Sequence, residues 1–220
     1  MHAVAAPGVP TSERLLQRQG REALCATLER VGEDAPTLCE GWRAIDLASH
    51  LVVRERDPWT APVILCGRLS AMVHRLTAKE QLRGFDRVVG RLRGGPPWLF
   101  RSTPLTVRLN TVEDWIHHQD VLRANGIEPE PPSPAMTDVL WHGIRSTGTV
   151  ASLRLDDVGV DAVATDGRRV TVKKGRQVVE VIGDPGEIVL FLTGRTSVAR
   201  VELRGPADAV ERLRGSRLRL

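Results

Sequence analysis

Apolar residues recur at helical spacing through Leu15, Leu16, Ala23, Leu24, Leu28 and Val31, between Pro10-Thr11-Ser12 and Gly32. That period, with a polar start and a glycine stop, predicts one long amphipathic helix. A second helix is predicted from Arg43 to Glu55 and ends at Asp57-Pro58, because the residue before a proline is pushed out of the helical region. Residues 58–76 are apolar without a period and read as loop or short helix. Thr77-Ala78-Lys79-Glu80 has the spacing of a capping box, which predicts a third helix running to Leu92 before Gly94-Gly95-Pro96-Pro97 stops it. A fourth is predicted from Leu105 to Ala124, closed by Asn125-Gly126. Beyond the proline-rich stretch Glu128–Pro134, a fifth, over Ala135 to Thr147, is expected to return and cover the bundle.

From Leu153 the period shortens to two. Val158, Val160, Ala162 and Ala164 alternate up to Asp166-Gly167, a strong hairpin signal, and Val170 and Val172 alternate beyond it. A third strand is predicted over Gln177 to Ile182. Asp184-Pro185-Gly186-Glu187 then supplies a cap, a first-position proline and an acid for a short helix through Leu192. Val201 to Leu203 reads as a strand and Pro206 to Leu213 as a last helix. The pattern defines an α+β chain: a flexible N-terminus over 1–12, a helical bundle over 13–150 and a small α+β domain over 151–220.

Composition narrows the function classes. With 41% hydrophobic and 26% charged residues over 220 positions, the chain is that of an ordinary folded protein. No apolar run approaches the roughly 18 residues of a membrane span, and the first residues lack a leader pattern. The cytoplasm is therefore the expected location, with no membrane partner. Lys and Arg number 31 against 27 Asp and Glu, a net charge of only +4, and the arginines are interspersed with acids. No nucleic-acid partner is expected from that distribution, and the basic stretch from Arg212 to Arg219 reads as a solvated terminus. Cys25, Cys39 and Cys66 are too few and too widely spaced for a disulfide framework, so they are read as reduced thiols.

The chemistry-bearing segment is Asn110 to Asp120, which holds two acid–histidine pairs at i,i+4: Glu113 with His117 and Asp114 with His118. Leu105, Leu109, Val112 and Ile116 define an apolar stripe flanked by Glu113, His117 and Asp120, which turns Asp114 and His118 toward solvent. Side chains at i and i+4 lie about 5–6 Å apart at Cβ, close enough to meet on one metal ion. The pair alone reads first as a helical ion pair; a metal site needs a third donor. His50 on the second helix is the best placed, although beside Asp46 it also reads as a surface histidine. His2, His74 and His142 sit in less patterned surroundings.

The segment Thr37-Leu38-Cys39-Glu40-Gly41-Trp42, followed by Asp46-Leu47 and His50-Leu51, resembles the signature of the DinB-like, mycothiol-dependent maleylpyruvate isomerase family, in particular its actinobacterial metal-binding branch. The family's later glutamate and histidine, four residues apart, fall on Glu113 and His117. Gly183-Asp184-Pro185 and Leu192-Thr193-Gly194-Arg195 resemble its C-terminal domain. The resemblance implies a DinB-like four-helix bundle followed by a small α+β C-terminal domain, with a divalent metal on His50, Glu113 and His117. Two histidines and a carboxylate favour zinc and leave positions open. It further implies mycothiol as the thiol cofactor, with a small-molecule thiol and an electrophilic substrate as partners, and it leaves room for a homodimer. Asp120 would orient His117, while Arg54 and Arg195 are candidates for meeting an anionic substrate. Two functions follow: a metal- and thiol-dependent transferase or isomerase, or a non-catalytic metal-binding or regulatory protein whose bundle binds a macromolecule. A fourth protein ligand would close the site and favour the latter, and Cys39 is the candidate.

Overall fold

The computed structural model describes residues 10–56, 70–96, 103–146 and 157–216. The expected flexible start over 1–12 lies mostly outside them, as do His2, Cys66 and residues 217–220, while Thr11 and Ser12 are already helical. The chain forms two compact units, Met1–Glu130 and Pro131–Leu220.

In the first unit, α1 (Thr11–Val31) lies along α5 (Pro104–Ala124), and α2 (Ala44–Arg56) packs on α3 (Ser70–Gln81) and α4 (Phe85–Arg93). Leu24 and Leu28 of α1, Leu47 and Leu51 of α2, Val88 and Leu92 of α4 and Val121 of α5 form one buried cluster. Helix ends follow the local chemistry. The Thr103 hydroxyl accepts the Thr106 amide at 3.1 Å and Pro104 opens α5, while Gly32 closes α1 at φ 85°.

The single third helix expected up to Leu92 is two helices. Gly84, at φ 86°, takes a left-handed conformation that interrupts the run, and α4 restarts at Phe85. Thr77 and Glu80 lie inside α3, so they form no capping box. The Glu80 carboxylate is buried and takes Arg91 at 2.5 Å and Arg83 at 3.1 Å instead.

The second unit begins earlier than the expected boundary near residue 150. Helix α6 (Pro134–Ser146) belongs to it, with Met136, Leu140 and Ile144 buried at four-residue spacing, and it packs on α7 (Pro185–Leu192) and on the strand Arg169–Lys173. The proline-rich stretch therefore precedes this unit's first helix. Strands β1 (Val158–Ala164), β2 (Arg169–Lys173), β3 (Gln177–Gly183) and β4 (Glu202–Arg204) form a sheet of order β2-β1-β3-β4, and α8 (Ala207–Gly215) follows. β1 is antiparallel to β2 and parallel to β3, and β4 is antiparallel to β3. Asp184 stands at the start of α7, but its Oδ1 accepts the Thr165 hydroxyl at 2.5 Å and makes no side-chain cap.

This strand order forces a close crossing. β2 ends beside the start of β1, and residues 174–176 carry the chain past that start to begin β3 on the other side. A Cβ on Gly175 would collide with the Gly159 nitrogen and the Val158 carbonyl carbon, and one on Gly159 would lie 2.8 Å from the Gly175 nitrogen. Backbone cannot yield as a flexible side chain does. Gly175→Ala is therefore expected to cost about 1–3 kcal/mol, read as a lowered urea midpoint at unchanged m-value. Among the described residues no helix is long and apolar enough to cross a membrane.

Candidate metal centre

The centre is built by one loop and two helices of the first unit. In the loop, the Trp42 amide donates to the Cys39 carbonyl at 2.9 Å, and Gly41 sits at φ 77°, the left-handed position such a turn requires. The Thr37 hydroxyl donates to the Trp42 carbonyl at 2.9 Å and accepts the Cys39 amide at 3.2 Å. The Leu38 amide donates to the Asp120 carbonyl at 3.2 Å, which fastens the loop to α5. Trp42 then packs against the His50 ring of α2, with centroids 4.9 Å apart and the planes tilted by 55°.

His117 of α5 is the hub. Its Nδ1 lies 2.9 Å from Asp120 Oδ2, and the Cys39 thiol donates to that same oxygen at 3.4 Å. Its Nε2 lies 3.6 Å from Glu113 Oε2, and the His50 ring stands edge-on to it at 6.4 Å between centroids. The structure thus brings His50, Glu113, His117 and Asp120 together. Arg54 is there too, with Nη2 at 3.5 Å from Glu113 Oε1 and Nη1 donating to Asn110 Oδ1 at 3.4 Å, so this cation rests on the site's own carboxylate. Arg195 belongs to the second unit, where its Nη1 donates to the Thr193 carbonyl at 2.7 Å.

Charge is distributed unevenly over the two imidazoles. Burial, followed by the neighbouring His117 and Arg54, pushes His50 down to about 4, so it is neutral at pH 7 and its lone pair is free to ligate. Burial lowers His117 as well, but Asp120, Cys39 and Glu113 outweigh it and hold the ring well above the usual range. Burial raises Glu113, yet His117, Arg54 and His50 prevail and keep it ionised, at about 2. The proton on His117 is thus a positive charge that two carboxylates hold in place. A divalent cation that displaced this proton would satisfy the same carboxylates and gain the freed ring nitrogen as a ligand, so the donor set suits one.

Two donor groups share His117. Cys39, His117 and Asp120 present ligand atoms all within 4.8 Å of one another on the Nδ1 side, a grouping sequence spacing does not show. Glu113 Oε2 lies on the Nε2 side at 3.6 Å, with the His50 ring edge-on nearby, and their ligand atoms are not drawn into so tight a group. Signals for the first existed only in the loop motif, because Cys39 meets Asp120 only once the turn has formed.

Asp114 and His118 face away from this centre, but not into solvent. Helix α1 covers that side. The Asp114 carboxylate is 1% exposed and takes Arg21 Nη2 at 2.9 Å, and His118 Nε2 lies 2.9 Å from the Thr27 hydroxyl. Of the predicted apolar stripe, Val112 and Ile116 are buried whereas Leu105 is 61% exposed. Burial, and secondarily Arg30, lower His118 to about 4 from 6.5. The unfolded chain therefore binds the extra proton first as pH falls below 6.5, and stability declines until the folded ring titrates near 4. The group's share of that loss is about 2 kcal/mol by pH 5. His118→Gln should remove about one proton from the slope of unfolding free energy against pH in this window; an unchanged slope would place the sensitivity elsewhere.

No family model matches the chain, and no curated protein matches it. Solved structures do. A crystal structure of the mycothiol-dependent maleylpyruvate isomerase matches with a TM-score of 0.55 at 18% identity, covering 89% of this chain and 93% of that one. A histidine-to-alanine variant of that enzyme matches with a TM-score of 0.56 at 17% identity and the same coverage. The chain shares their fold: an N-terminal DinB-like helical bundle followed by a small α+β part.

Proposed function

We propose that this chain is a metal- and thiol-dependent transferase or isomerase, with one divalent cation, zinc foremost, on His50, Glu113 and His117. The observation that carries the reading is the division of His117: Nδ1 is held by Asp120 at 2.9 Å, while Nε2 faces Glu113 at 3.6 Å beside the neutral His50. That is the arrangement by which a carboxylate fixes a histidine's tautomer and raises its basicity toward a metal. The shared fold with a mycothiol-dependent isomerase supports mycothiol as the thiol. When bound there, a zinc ion lowers the pKa of a coordinated thiol and polarises an electrophile.

The chain's residues do the rest. Asp120 orients His117, Trp42 covers one side of His50, and Arg54 holds Glu113 while its charge offsets that carboxylate. Metal analysis of the purified protein, followed by titration of mycothiol against the zinc-loaded protein with thiolate absorbance as readout, tests the reading. A thiolate forming at lower pH with zinc than without it is the expected result. A filled zinc site with no effect on the thiol would favour the non-catalytic metal-binding function, and no zinc uptake would overturn both.

A further inference from the structure

We propose that the first unit carries a second ligand site, a cavity between α1, α4 and α5 that binds a small, multiply charged anion. The cavity measures about 440 Å³, within the range of small-molecule pockets. One stripe of α1 lines it: Arg14, Gln17, Arg18 and Arg21 fall at i, i+3, i+4 and i+7. Below them on the same helix the stripe turns apolar, with Leu24 and Leu28 in the core. Arg21 is buried with that packing face, whereas Arg18 and Arg14, one and two turns earlier, are exposed and lie beyond it.

Accounting for the charges separates the engaged cations from the available ones. Arg21 is consumed by Glu55 and Asp114, and Arg93 by Glu22 and Glu29. Glu22 is the sole carboxylate on the lining, and both its oxygens accept from Arg93, at 3.2 and 3.0 Å. Arg14 and Arg18 have no acceptor among the described residues. Opposite them stands Asn110 of α5, 8% exposed, whose Oδ1 is occupied by Arg54 at 3.4 Å. That bond fixes the amide so that its NH2 group is the free end. Two guanidinium groups and one amide make a set composed of donors alone, which matches the acceptor oxygens of a carboxylate or phosphate and offers nothing to a cation. Neighbouring arginines at i,i+4 suit two charged groups on one small molecule, or one phosphate bridged by both. The site shares Arg54 with Glu113 as a neighbour but needs no metal, so it stands apart from the proposed function.

The test is calorimetric titration of the purified full chain with succinate and, separately, with inorganic phosphate, at constant ionic strength. Saturable binding by either is expected, and the stronger of the two assigns the oxygen chemistry. Arg14→Gln and Arg18→Gln should each weaken binding by about tenfold, the cost of one charge-assisted contact. Both positions are exposed, so the variants are expected to fold, and circular dichroism checks this. No saturable heat from either anion, or wild-type affinity in the folded double variant, overturns the site. Metal content measured on the same samples stays at the wild-type level if the cavity is independent of the His117 centre.

Discussion

His117→Ala is expected to weaken zinc binding by more than about 100-fold, because it removes the one side chain that both donor groups need. The other substitutions then tell the two groups apart. If the ion sits toward Nε2, His50→Ala and Glu113→Ala should each approach the His117 loss. Asp120→Ala, which only frees the ring held at 2.9 Å, should then cost about 10–100-fold, and Cys39→Ala should cost little. If the ion sits on the Nδ1 side, Cys39→Ala and Asp120→Ala become the severe variants and His50→Ala the mild one. Competition with a chromophoric chelator measures all five affinities. The proposed Nε2 arrangement rests on charge: His50 is neutral and Glu113 ionised at pH 7, whereas Asp120 on the Nδ1 side is already engaged by the Cys39 thiol and the ring.

Much of this geometry is legible in the chain. Helices α1, α2 and α5 announce themselves through period and stop signals, since Gly32, Asp57-Pro58 and Asn125-Gly126 act on the backbone locally. The break at Gly84 is not legible, because Thr77-to-Glu80 spacing suits a helix interior as well as a cap, and only the burial of Glu80 against Arg91 shows which one operates. The face assigned to Asp114 and His118 fails for a different reason. Periodicity distinguishes two faces of a helix, but α5 is covered on several sides between Val107 and Leu122, and its polar residues on the α1 side are buried with partners. Those partners are 93 and 91 residues away, Arg21 and Thr27, a separation that no local pattern encodes. The spacing of Glu113 and His117 is local and readable, while the meeting of Cys39 with Asp120, 81 residues on, needs the folded loop.

Arg21→Met is expected to destabilise the chain by about 3–5 kcal/mol at pH 8, the cost of leaving buried carboxylates without their cation. Arg21 connects three helices: it lies on α1, pairs with Glu55 of α2 and takes Asp114 of α5 through both Nε, at 3.1 Å, and Nη2, at 2.9 Å. The side chains are 7%, 3% and 1% exposed, so water does not compensate either acid. Burial first, then the neighbouring Asp114, raise Glu55 to about 7 even against Arg21, which shows that one guanidinium barely balances two carboxylates. A carboxyl raised in the folded state binds its proton before the unfolded chain does, so acidification from 7 toward 4.5 favours the fold through this group. The variant's deficit should accordingly shrink as pH falls and both acids take up protons. Chemical denaturation at pH 8 and pH 5.5 measures it, and the double variant Arg21→Met/Asp114→Leu isolates the pair. That double variant should recover part of the loss, since removing both ends of a buried pair leaves less uncompensated charge than removing one. A deficit below about 1 kcal/mol at pH 8, or additive single effects in the cycle, would mean the three helices are held by their apolar faces alone.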